Sequence, residues 1–190
     1  MFEAFSYDGE IFKNFSLEKE TIEEVEFEAC RFEKCNFELT NFQNCRFVDC
    51  LFEQSLISAG HFDESTFTDV TFKNSKVLGC DFTTVHQVSG ISFENCDVSL
   101  SNFAGLEIPS LTLKNSLAKE VSFVDSSFVR GDFSGTDFEK AIFHNTNLEK
   151  ANFVDAKFYQ IDLRTNNIEA AQFSMPDALQ LLYAIGIKIE

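Results

Sequence analysis

Three histidines, His61, His86 and His144, six cysteines and the acid pairs Glu23-Glu24 and Asp63-Glu64 are the side chains here with the chemistry to bind a metal, attack a carbonyl or move a proton. The histidines are scattered and form no triad or metal set. No two cysteines stand as CxxC, the spacing of zinc ribbons and dithiol centres. Paired acids do acid/base work when a pocket desolvates one of them. No GxGxxG, P-loop or GxSxG sequence occurs. The residues therefore point to a protein that is not an enzyme, with no catalytic residues, no metal and no cofactor.

The elements that would have to position these groups follow from phenylalanine, which fills 24 of the 190 positions. Stepping by five from Phe2 gives Tyr7, Phe12, Leu17, Ile22, Phe27, Phe32, Phe37, Phe42, Phe47, Phe52, Ile57, Phe62, Phe67, Phe72, Val77 and Phe82, all apolar. A second run goes from Phe93 through Val98, Phe103, Ile108, Leu113, Ala118, Phe123, Phe128, Phe133, Phe138, Phe143, Leu148, Phe153, Phe158, Leu163 and Ile168 to Phe173. Only Phe5 and Phe15 fall outside the two runs. One extra residue separates the runs; Val88 is the centre between them, which puts a register break in Thr83 to Val85. Five matches neither the 3.6 of a helix nor the 2 of a strand, so the chain must turn at every repeat. A unit that always buries the same position reads as one side of a solenoid whose turns stack on a continuous column.

The residue two places before each centre is the second buried position, and small residues dominate it: Val25, Cys30, Cys35, Thr40, Cys45, Cys50, Ser55, Gly60, Ser65, Val70, Ser75, Cys80, Cys96, Ser101, Gly131, Thr136 and Ala141 among others. Close packing beside the rings leaves little room there. All six cysteines share this register, which reads as buried small side chains and not as ligands or disulfides. Unpaired thiols suit a reducing cytoplasm.

Composition bounds the partners. The chain carries 31 acidic against 15 basic residues, a formal charge of −16, with 44% hydrophobic residues. That charge argues against direct nucleic-acid binding, which needs clustered Lys and Arg. No run approaches the roughly 18 apolar residues of a membrane span, and the acidic start Met1-Phe2-Glu3 is not a signal peptide. The expectation is a soluble, cytoplasmic protein with no membrane partner.

After Phe173 the register stops. Ser174-Met175-Pro176-Asp177 can open a helix, Ala178, Leu181, Leu182 and Ile185 follow a helical stripe, Gly186 ends it, and Ile187-Lys188-Ile189-Glu190 alternates like a strand. Leu179 and Tyr183 widen the apolar surface. Residues 1–173 read as the solenoid and 174–190 as a cap. The tail can also dimerise, through Ala178, Leu179, Leu181, Leu182, Tyr183, Ile185, Ile187 and Ile189.

The pattern of a small residue, then Asp, Asn, Ser or Thr, then Phe or Leu, then two variable residues resembles the pentapeptide-repeat family over residues 2 to 173. Ala151-Asn152-Phe153-Val154-Asp155 and Thr146-Asn147-Leu148-Glu149-Lys150 are clear instances. The resemblance implies an all-β, right-handed quadrilateral β-helix of about 8 to 9 coils, four repeats per coil, with a short C-terminal α-helix. A helical tail after a Phe-centred solenoid is similar to the Qnr and MfpA branch. It implies a bacterial homodimer joined end to end at its C-termini. It also implies partnership with DNA gyrase or topoisomerase IV, which is inhibited, or protected from quinolones, by a protein that mimics DNA. The two projecting loops of several Qnr proteins have no counterpart here.

Mimicry needs charge in the right place. Sorting residues 1–100 onto four sides, the first side (centres Phe2, Ile22, Phe42, Phe62, Phe82) carries Glu3, Glu20, Glu23, Glu24, Asp63, Glu64 and Asp81 with no base. The second (Tyr7, Phe27, Phe47, Phe67) carries Asp8, Glu26, Glu28, Asp49 and Asp69 against Arg46. The third is balanced, and the fourth has one excess acid. The net charge runs at about one per 2 Å along this half, against one per roughly 1.7 Å in duplex DNA. Glu3, Glu20, Glu23, Glu24, Glu26, Glu28, Asp63, Glu64, Asp69 and Asp81 are the expected topoisomerase-facing surface. Residues 101–190 are much less negative. The other class of reading is a protein-interaction scaffold or a toxin-immunity module.

Overall fold

A ring every five residues is buried only if the backbone turns a corner between rings, and the dihedral angles show those corners. The residue two places after a centre sits in the left-handed region, as at Asn44 (φ 52°), Asn74 (φ 50°), Asn95 (φ 53°) and Asn115 (φ 50°). Asparagine tolerates that region because its amide can bond locally. Leucine does not, yet Leu39 and Leu100 hold it at φ 56° and 65°. Their N–H groups donate to Ser58 and Lys119 carbonyls of the next turn at 2.7 and 2.8 Å, so the ladder fixes what the side chain disfavours.

The computed structural model describes residues 2–188. It is a parallel β-solenoid of about eight turns with one short C-terminal helix. Three-residue strands stack at a spacing of 20 residues. The second side is a five-stranded sheet (Ser6–Asp8, Glu26–Glu28, Arg46–Val48, Thr66–Thr68, Gln87–Ser89). The third is a six-stranded one, running from Ile11–Lys13 to Thr112–Lys114. The first and fourth sides carry shorter pairs, Thr21–Glu23 with Asn41–Gln43 and Leu56–Ser58 with Lys76–Leu78, continued by single bridges. His61 pairs with Asp81, 20 residues on, but Thr66 pairs with Gln87, 21 on, so one additional residue lies between Asp81 and Gln87. The Asp81 carboxylate accepts from the Thr83 N–H at 2.9 Å and hydroxyl at 2.7 Å, stabilising that turn.

Inside, rings stack along each side and meet edge-on across corners. On the third side Phe32, Phe52, Phe72 and Phe93 stack at centroid distances of 4.5, 4.8 and 5.0 Å, within 14° of parallel. At the N-terminal end, Phe2 lies against Tyr7, Phe12, Phe15 and Phe27 at 4.8 to 5.4 Å. Phe15 therefore joins the core from the small position, whereas Phe5 is exposed.

The small position does more than fit. The Ser65 hydroxyl donates to the Phe42 carbonyl (2.8 Å) and accepts from the Cys45 N–H (2.9 Å). Ser55 does the same between Phe32 and Cys35, and Ser101 between Val77 and Cys80. Cysteine thiols donate likewise, Cys50 to Phe27 and Cys96 to Phe72, both at 3.3 Å. Each such side chain satisfies corner backbone groups that the strand ladder leaves free. Ser65→Ala should lower stability by about 1–3 kcal/mol because it orphans two buried groups at once, and Ser65→Cys should cost less by keeping the donor. Denaturant midpoints for the two variants check this; equal losses would refute it.

Two expectations for the last turn need correction. Phe158 is not a buried centre: it is 57% exposed, and Tyr159 fills the axis instead at 1%. The Tyr159 ring lies 5.7 Å from Phe153 and 5.4 Å from Phe173. The path is short-cut here, with Phe143 bridged to Ile161, 18 residues on, before Asn147 and Asn167 restore 20. Leu163 is only partly buried. No further turn stacks on this side to enforce the pentapeptide geometry, and Tyr159 takes the place although its buried hydroxyl finds no hydrogen-bond partner among the described residues. The tail also departs from expectation. The helix spans Leu179–Ala184, with Ala178 as N-cap and no side-chain cap. Ile187 and Lys188 are not strand, and Ile189 and Glu190 lie outside the described residues.

Candidate functional site: an acidic two-sided surface

Glu3, Asp8, Glu23, Glu26, Glu28, Asp63 and Asp81 flank inward-pointing centres, so strand alternation turns them outward, whereas Glu24, Asp49, Glu64 and Asp69 stand at the left-handed corners. Thr21–Glu23 buries Ile22 and leaves Glu23 at the surface, with Glu20 and Glu24 exposed at the corners beside it. Glu26–Glu28 buries Phe27 and pairs with Ser6–Asp8, which sets Asp8 directly against Glu28 on neighbouring strands. Two like charges at that spacing oppose each other. Their proximity lowers stability and raises the local negative potential.

Most of the ion pairs lie on the third and fourth sides. Lys13–Glu33 (2.9 Å), Arg31–Glu53 (3.3 Å), Lys73–Glu94 (3.8 Å) and Lys114–Asp132 (3.7 Å) lie on the third side, and Lys119–Glu139 (2.9 Å) and Lys140–Glu120 (3.4 Å) on the fourth. On the first two sides Arg46 pairs with Glu26 and His86 Nδ1 lies 3.8 Å from Glu64, and in the C-terminal half Lys150 pairs with Glu149 on the second side and Arg164 with Asp162 on the first. Among the described residues, Glu3, Asp8, Glu20, Glu23, Glu24, Glu28, Asp49, Asp63, Asp69 and Asp81 have no Lys or Arg at ion-pairing distance. The negative field of this corner is therefore uncompensated at contact range, and it reaches about a Debye length, roughly 8 Å at physiological salt.

The acids do not form an even stripe. Glu23 pairs with Gln43 and Thr21 with Asn41, so the row Asn41-Phe42-Gln43-Asn44 interposes a neutral band. Glu3, Glu20, Glu23, Glu24, Glu26 and Glu28 gather at the N-terminal end, and Asp63, Glu64, Asp69 and Asp81 form a second patch beyond the band. Summing charge by side conceals that gap, although the residues making it are plain in the sequence. Asp81 is half-buried and tied into the Thr83 turn, so it is the least available of the ten.

The tail forms the second candidate surface. Leu181 turns inward and is buried on the last turn, so it closes the tube and leaves the expected outward stripe. Ala178, Leu179 and Leu182 are half-buried, and Tyr183, Ile185 and Ile187 are exposed, as are Met175 (69%) and Phe158. The tail helix is too short to cross a membrane, as is every helix among the described residues. No cluster of three potential metal ligands occurs among the described residues.

The six cysteines are free and buried. Burial pushes the thiols of Cys50 and Cys80 up to about 12 and those of Cys45 and Cys96 up to about 11. At neutral pH they are protonated donors, not nucleophiles.

One solved structure shares the architecture. A trypsin-treated form of QnrB1, a plasmid-mediated fluoroquinolone resistance protein, matches with TM-score 0.64 and 18% identity, covering 98% of this chain and 99% of that one. A second trypsin-treated form matches at TM-score 0.49 and 13% identity, covering 97% and 100%. HetL, a pentapeptide repeat protein involved in heterocyst differentiation regulation in the cyanobacterium Nostoc, matches at 0.31 and 10%, covering 92% and 93%. Among curated proteins no sequence matches. The family model described as a pentapeptide repeat region fits residues 10–82, and that for pentapeptide repeats fits residues 110–145 and 126–164, together well over half the sequence. With its five-residue period, four-sided solenoid and small-residue ladder, the chain belongs to the pentapeptide-repeat family.

Proposed function

We propose that this protein is a DNA mimic that binds DNA gyrase or topoisomerase IV in the bacterial cytoplasm and either inhibits the enzyme or protects it from quinolones. The observation that carries the reading is the sorting of charge. Ten carboxylates on two adjacent sides of the N-terminal half stand without Lys or Arg partners, while the third side matches its acids with bases and pairs Glu33, Glu53 and Glu94. A groove that binds duplex DNA is lined by cations that fit such a surface, and long-range attraction would speed encounter. The solenoid acts by binding, with a convex exterior that offers no desolvated acid pair for catalysis. Tyr183, Ile185 and Ile187 at the tail provide an end-to-end homodimer contact, which would present an acidic half at each end. Six free thiols accord with a reducing compartment.

Reversing Glu20, Glu23, Glu24, Asp63 and Glu64 to Lys tests the reading. Gyrase binding should weaken by tenfold or more, and supercoiling inhibition or quinolone protection should disappear, with circular dichroism unchanged. Native binding should also fall steeply as salt rises. A folded variant that retains its effect on gyrase, or a native chain with no effect at micromolar concentration, would leave the scaffold or toxin-immunity reading instead.

A further inference from the structure

The fourth side lies opposite the second and carries a different pattern. One edge of it holds Leu56, Lys76, Asp97 and Leu117 in four successive turns: Leu56 pairs with Lys76, Lys76 bridges Asp97, and Asp97 bridges Leu117. The order is apolar, cation, anion, apolar. Reversed, it reads the same with the charges exchanged. Among the described residues neither charge has an ion-pair partner within the chain, although other bases of the third and fourth sides do. Asp97 accepts only the Ser99 N–H through Oδ1, at 3.1 Å.

We propose that this side is a self-association surface on which a second copy of the chain lies face to face and antiparallel. A two-fold axis between the turns of Lys76 and Asp97 sets Lys76 against Asp97 of the second copy, twice by symmetry, and Leu56 against Leu117. Beside this column Leu39, Leu100 and Leu117 are 46%, 64% and 41% exposed, with Ser58, Ala59, Gly79 and Ser99 between them; Lys140 and Glu120, which pair with each other at 3.4 Å, come opposite Leu39 and Ala59. At the rim, Glu38 comes opposite Glu139, whose charge Lys119 already holds at 2.9 Å. The first and second sides cannot make such a contact, because their unpaired acids repel a copy of themselves.

The two-fold axis falls midway along the eight turns of this side, from the Ser16 row to the Lys157 row, so two chains overlap over their whole length. Eight turns at about 4.8 Å and five residues at about 3.3 Å give roughly 600 Å² per copy. The total of about 1,200 Å² is at the lower end of specific interfaces, which sets the expectation of a micromolar dimer. This side-by-side pairing is independent of the tail contact and leaves both acidic sides facing outward.

Sedimentation velocity on the full chain, from about one to a few hundred micromolar, reads the association. Lys76→Glu should weaken it at least tenfold by setting two acids together, twice. Asp97→Lys should do the same, and the double variant K76E/D97K should restore it. Both positions are at the surface, and circular dichroism confirms that the variants fold. Equal association of the native chain and K76E, whether both monomeric or both joined through the tail, overturns the proposal; so does a double variant as weak as the single ones.

Discussion

Replacing Phe72 by Ala should cost about 3–5 kcal/mol. Its ring is fully buried, stacked on Phe52 at 4.8 Å below and Phe93 at 5.0 Å above. Truncation removes apolar burial and also breaks two aromatic contacts, which carry a further contribution of their own. The neighbouring turns are held at a fixed spacing by backbone ladders from Thr71 to Leu51 and to Ser92, so the walls cannot collapse into the void. That rigidity places the substitution at the costly end of the range. Guanidinium unfolding of the native chain, F72A and F5A checks it. Phe5 is 78% exposed, and its variant should lie within about 0.5 kcal/mol of native. A loss below about 1 kcal/mol for F72A would mean that the column does not carry the stability.

The fold was legible in the sequence because a solenoid writes its geometry along one dimension. A single centre per side makes the period visible from Phe2 to Phe153 without any tertiary contact being known. The placement of acids on sides was legible for the same reason. Reading failed where stacking ends. Phe158 keeps the five-residue period yet points outward, because only a neighbouring turn enforces that period and none lies above it on this side. Leu181 matched a helical stripe, but which face of a six-residue helix closes the tube depends on where Tyr159 and Phe173 sit. The small position was recognised for its size and missed for its hydrogen bonds. A signal was present, since Ser, Thr and Cys outnumber Ala and Gly there through residue 101, and each brings a donor. The number of sides came from family resemblance, because a period of five is compatible with other polygons.

Stability should fall steeply in mild alkali. An ordinary thiol ionises near 9.0, whereas burial holds Cys45 and Cys96 near 11 and Cys50 and Cys80 near 12 in the folded chain. Cys30 and Cys35 are raised as well, first by desolvation. Each folded value lies above the unfolded one, so the unfolded chain holds fewer protons above pH 9 and the stability falls as pH rises. The contribution is complete below the unfolded value and is lost progressively toward the folded one. At pH 10 each of the four strongly shifted thiols costs on the order of 1 kcal/mol, and together they cost a large part of a typical folding free energy. Guanidinium midpoints at pH 7, 9 and 10 measure the slope. Cys80→Ser should remove nearly one proton from it at pH 10 while keeping the hydrogen bond, since Ser55, Ser65 and Ser101 occupy the same position elsewhere in the column. A slope below one proton between pH 9 and 10, or a C80S variant with the native slope, would show that the thiols reach solvent in the folded chain.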